Sequence, residues 1–136
     1  MLVNAVPVAA TLSDKLVALP WSIVRRRNPR YRDVWDLIEY LPTQTSFASV
    51  LESARQRAVE QMAADEFEAL LVDAGARLPD VVEGGAFEAT MRRFVPHGLA
   101  DQTIGNADYR RTMVESLQET FGWLRDPGSM PRHLQR

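Results

Sequence analysis

The sequence predicts an all-α or mostly α fold: about four amphipathic helices, an extended N-terminal arm and a short polar C-terminal tail. Two observations carry this. Apolar residues recur every three or four positions over long stretches, the spacing that lines one face of a helix. Proline and glycine punctuate those stretches at Pro42, Gly75, Pro79, Gly84-Gly85, Pro96, Gly105 and Asp126-Pro127-Gly128. The chain then divides into an arm (1–12), one helical domain (13–126) and a tail (127–136).

Residues 2–10 mix β-branched side chains with Pro7 and read as an edge strand or an arm lying on another surface. Ser13 or Thr11 is placed to cap a short helical turn that Pro20 ends. Trp21, Ile23 and Val24 lead into Arg25-Arg26-Arg27-Asn28-Pro29-Arg30, where Pro29 pushes Asn28 out of the helical region. From Arg30 to Leu41, Val34, Leu37, Ile38 and Leu41 share one face. Asp33 and Asp36 sit in the first turns, where the helix dipole favours acids, and Tyr31 and Trp35 border the stripe. Pro42 marks the end. Thr43 or Thr45 then caps a stripe of Phe47, Val50, Leu51, Ala54, Ala58 and Met62 that continues through Phe67, Leu70, Leu71 and Ala74. That run is one helix, or two separated near Ala63–Asp65, with Gly75 as its stop. A third helix is expected from Ala86 to about Phe94, and a loop from Val95 to Gly105. Asn106 or Asp108 caps a last helix bearing Tyr109, Met113, Leu117, Phe121 and Leu124.

A 136-residue chain with 46% hydrophobic residues fits one globular domain with a substantial core. It has no cysteine, which excludes disulfides, thiolate metal sites and cysteine nucleophiles. The apolar start lacks a basic residue ahead of it and makes a poor signal peptide, and no apolar run reaches membrane-spanning length, so a cytoplasmic protein is the default. Charge is segregated. Residues 1–32 hold six basic residues against Asp14, whereas 33–90 hold twelve acids against three arginines.

The search for chemistry returns little. No phosphate loop, His-Glu-x-x-His pair or calcium loop occurs. His97, with Asp101 four residues on, is the sole pairing of general acid–base type; the simpler reading is a solvent-facing loop histidine. The carboxylate pairs Asp33/Asp36, Asp65/Glu66/Glu68 and Asp80/Glu83 read as solvated faces or dipole caps. The expectation is therefore no catalytic residues, no metal, no cofactor and no small-molecule substrate. Arg25, Arg26, Arg27, Arg30 and Arg32 form a basic patch with aromatics nearby, which suits phosphate contact and makes a nucleic-acid-binding protein the alternative reading. The apolar stripes are wide for a domain this size. They point to self-association or a protein partner docking on Val34, Trp35, Leu37, Ile38, Phe47 and Leu51.

The segment Arg30-Tyr31-Arg32-Asp33-Val34-Trp35-Asp36-Leu37-Ile38-Glu39-Tyr40-Leu41-Pro42-Thr43-Gln44-Thr45-Ser46-Phe47 resembles small tail-assembly proteins of long-tailed actinobacterial phages. That resemblance implies a non-enzymatic phage tail or virion assembly protein, a chaperone of the tape-measure protein, whose helices over 31–41 and 46–71 bind the client.

Overall fold

The computed structural model describes residues 9–135. The expected arm therefore lies mostly outside the described residues; its last four positions, Ala9 to Leu12, are the first turn of a helix. Seven α-helices follow one another: α1 (Ala9–Arg25), α2 (Tyr31–Tyr40), α3 (Phe47–Gln61), α4 (Ala64–Glu83), α5 (Ala86–Met91), α6 (His97–Gln102) and α7 (Ala107–Arg125). Short 3-10 turns follow α2 at Leu41–Thr43 and α7 at Pro127–Ser129 and Arg132–Leu134. There is no strand among the described residues.

Packing centres on two helices. α1 lies against α2, α3 and α4, and α4 also lies against α5 and α7. Contacts of α7 with α3 and α2 close the body. The core runs from Leu12, Leu16 and Leu19 on α1 through Leu51 and Ala58 on α3 and Leu71 and Leu78 on α4 to Phe121 on α7. Ala54 and Ala58 are fully buried, and their small side chains let α1 and α4 approach α3 closely.

Pro20, expected to end or restart a helix, and Pro79, expected in a connector, both lie inside helices. α1 continues through Pro20, which is itself buried. Burial of Leu16, Leu19 and Ile23 on the same helix offsets the roughly 3 kcal/mol that an interior proline costs. α4 runs on past Gly75 and Pro79 to Glu83, so the expected connector is helix. Pro79 has no N–H to donate to the Gly75 carbonyl four residues back. Gln118 of α7 supplies the missing donor: its Nε2 lies 2.8 Å from that oxygen.

Other boundaries differ for local reasons. Ser46, not Thr43 or Thr45, caps α3, its hydroxyl accepting from the Ser49 amide. The long run does divide, with Met62 and Ala63 extended between α3 and α4. Asn106 caps α7 by accepting from the Tyr109 amide at 3.0 Å. The expected loop over Val95–Gly105 contains α6, held by buried Ala100 and Ile104. The tail also packs: Met130 is buried in the core and Leu134 is half-buried.

The stripe residues are core. Val34, Leu37 and Leu51 are essentially inaccessible and Trp35 is buried, so they pack inside the helical body, Leu37 at the floor of a groove. Leu37→Asp or Leu51→Asp places a charge there and abolishes cooperative melting by circular dichroism, rather than merely blocking assembly. The Pro79–Gln118 arrangement predicts a coupled effect. Gln118→Ala costs about 1 kcal/mol in the native chain. It costs close to nothing once Pro79→Ala restores the N–H, and urea unfolding of the four proteins of that cycle measures the difference.

Candidate functional site

Lys15 of α1 anchors the start of α2. Its Nζ is 2.6 Å from Asp33 Oδ1 and 3.3 Å from Asp36 Oδ2. Arg30 Nε donates to the other Asp33 oxygen at 2.5 Å. The two aspartates expected on a solvated face are thus buried, Asp33 to 2% exposure, because α1 carries their counter-charge. Four charges in this setting are held by mutual pairing and carry no spare carboxylate for a ligand.

The loop between α1 and α2 is built on Ser22. Its buried hydroxyl donates to the Leu19 carbonyl at 2.9 Å and accepts the Arg30 amide at 3.2 Å. The Arg26 amide closes on the Ser22 carbonyl at 3.0 Å. This turns Arg25, Arg26 and Arg27 out to solvent. The structure divides the expected basic patch. Arg30 is spent on Asp33, and Arg32 stacks over Phe94, its guanidinium carbon 4.9 Å from the ring centre. Among the described residues, no ion pair engages Arg25, Arg26, Arg27 or Arg77.

Two cavities flank α2. One, of about 350 Å³, is an apolar groove between the end of α2, the start of α3, α7 and the tail. Ile38 and Phe47, the two expected partner-binding residues outside the core, line it with Leu41, Trp123, His133 and Leu134. Phe47 and Trp123 meet edge to face at 5.7 Å between ring centres. The other, of about 300 Å³, lies beside the arginine loop, walled by Ile23, Pro29 and Tyr31 and by Arg77, Asp80, Val81, Gly84 and Ala86. The sequence reading passed over this second cavity because it took α4 to end at Gly75.

His97 and Asp101 do come within 3.5 Å, but His97 is 87% exposed and Asp101 is shared with Arg92 at 3.0 Å. The hydrogen bonds that Arg92 donates to Glu88 and Asp101 raise its pKa, so it stays charged. Burial, and next the charge of Glu39, raise the Tyr109 phenol. Among the described residues no three His, Asp or Glu side chains converge as a metal site.

The buried cluster yields a test. Lys15→Met leaves Asp36 without a cation and costs about 3 kcal/mol by urea unfolding. Adding Asp33→Asn and Asp36→Asn recovers part of that loss if uncompensated charge is the cause.

Comparison with known proteins bears on function directly. A family model described as the nucleotidyl transferase AbiEii toxin of a type IV toxin–antitoxin system matches residues 1–124. No curated protein and no solved structure matches the chain. The match overturns the phage tail and virion assembly resemblance, which rested on residues 30–47 and a Leu-Pro-polar-Ser turn common to many helix–helix joins. With it fall the non-enzymatic interaction module and the alternative of a simple nucleic-acid-binding protein. The expectation of no enzymatic activity is corrected likewise, since the family is one of nucleotidyl transferases. A toxin–antitoxin family also gives the protein an antitoxin as its counterpart, and no helix among the described residues is long and apolar enough to cross a membrane. By a match spanning almost all of its length, the chain belongs to the AbiEii nucleotidyl transferase toxin family.

Proposed function

We propose that this chain works as part of a nucleotidyl transferase toxin acting in the cytoplasm, and that its helical body binds the phosphate-bearing substrate of the transfer. The family match over residues 1–124 carries the reading. In nucleotidyl transfer an acceptor attacks the α-phosphorus of a nucleoside triphosphate and pyrophosphate leaves. Negative charge is high on the substrate throughout and is best met by fixed cations. The loop holding Arg25, Arg26 and Arg27 offers such cations on a chain whose overall charge is −2. Backbone hydrogen bonds fix the turn that carries them, between the end of α1 and the start of α2.

Phosphoryl chemistry is commonly served by divalent ions on clustered carboxylates. The described residues do not fit such an ion. Asp33 and Asp36, the closest buried acids, are neutralised by Lys15 and Arg30. The described side chains are therefore assigned to binding and orientation.

The test uses the purified chain, each of the four nucleoside triphosphates labelled at the α-phosphorus, and a bacterial extract as acceptor pool. Label retained in acid-insoluble material is the expected outcome. Arg25→Ala, Arg26→Ala and Arg27→Ala together lower it at least tenfold, with an unchanged circular dichroism spectrum. Transfer unaffected by the triple change removes the loop from the mechanism; no transfer and no triphosphate binding overturns the reading.

A further inference from the structure

We propose that the cavity between the α1–α2 loop, α4 and α5 is a binding site for a nucleoside phosphate, with the base against its apolar wall and its phosphates towards Arg77. The inference rests on the nucleotidyl transferase reading and names where one of its substrates sits. About 300 Å³ is at the small end of ligand sites, the size of a nucleoside rather than of a peptide or a duplex.

Its walls are chemically divided. Ile23, Pro29 and Val81 give apolar surface for a flat base, beside the ring of Tyr31. That ring is fixed by an edge contact with buried Phe87, 6.1 Å between centres. Arg77 and Asp80 stand on the opposite wall, one turn apart on α4, yet neither enters an ion pair among the described residues. A carboxylate there accepts hydrogen bonds from ribose hydroxyls or a base amine, while Arg77 faces phosphate. Arg25, Arg26 and Arg27 lie on the segment joining two of the wall residues, Ile23 and Pro29. Arg77 is the cation on the cavity wall, and it stands outside any ion pair among the described residues.

The turn beside the cavity is a glycine pair. A Cβ on Gly84 would lie 2.8 Å from the Asp80 carbonyl, and Gly85 adopts a φ of 87°. Both positions demand glycine, and Gly84 lines the cavity. The pair is not a phosphate loop of the usual kind; it is the turn that sets α5 against α4 beside the cavity.

Free nucleotide and the phosphorylated end of an RNA strand offer the same chemistry. The probes are ATP, inorganic triphosphate and a 5′-phosphorylated oligoribonucleotide, titrated into the chain and into two variants at exposed positions, Ala86→Trp and Arg77→Ala. Circular dichroism checks that each is folded. ATP binding at least tenfold tighter than triphosphate, with the preference lost in Ala86→Trp and affinity lowered about tenfold in Arg77→Ala, supports a free-nucleotide site. The same sensitivities for the oligoribonucleotide, with weak ATP binding, support a strand end. Equal affinity for ATP and triphosphate that Ala86→Trp leaves unchanged overturns the cavity, as does no binding of any probe. Label transfer that persists at full rate in both variants overturns this site while nucleotidyl transfer stands. Probe binding with the expected pattern in a chain inactive in transfer keeps the site and tells against that activity.

Discussion

The ion cluster of Lys15 with Asp33, Asp36 and Arg30 is the constraint on which the functional face depends. It ties the start of α2 to the middle of α1 across a chain reversal of only five residues, 26–30. Once those two helices are locked, the connecting loop has little freedom, and Ser22 fixes what remains. Arg25, Arg26 and Arg27 are left exposed at this reversal. The cluster acts less as a source of stability than as a register device. Buried pairs gain little over apolar packing, yet they penalise any alternative arrangement that separates the partners.

The helical character of the chain was legible, because 3.6-residue periodicity survives tertiary context. Val34, Leu37, Val50, Leu51, Met113 and Phe121 all turn inward as their spacing requires. What was not legible depended on partners distant in sequence. Pro79 reads as a stop until Gln118 supplies the lost donor to Gly75. Asp33 reads as a solvated cap until Lys15 lies against it. The five arginines of the basic patch part company in the structure, because periodicity says nothing of Asp33 pairing with Arg30 or of Arg32 lying over Phe94. Membership of a toxin family was legible from none of these features, since all-helical packing is compatible with many functions.

The enzymatic reading was missed for a chemical reason. The sequence carries no motif for a nucleophile, a metal site or a phosphate loop, and the described residues bring no metal-site cluster together. Transfer of a nucleotidyl group, however, is dominated by positioning and by neutralising charge that the substrate already carries. Among the described residues Arg25, Arg26 and Arg27 enter no ion pair, as is true of Arg93, Arg125 and Arg132, whereas Arg57, Arg92 and Arg110 are engaged with Asp14, Glu88 and Glu83.

The continuity of α4 connects fold to site. Arg77, Asp80, Val81 and Gly84 fall at intervals of three, one and three, so they share one face only if the helix is unbroken there. A helix ending at Gly75 would scatter them along a connector and leave the arginine loop facing solvent on all sides. Sustaining the helix past a proline demands an outside donor, and α7 provides it from the opposite side of α4 in the chain order. Local preference and tertiary structure therefore disagree over the same few residues that wall the cavity, which is where a sequence that otherwise obeys its local rules is expected to depart from them.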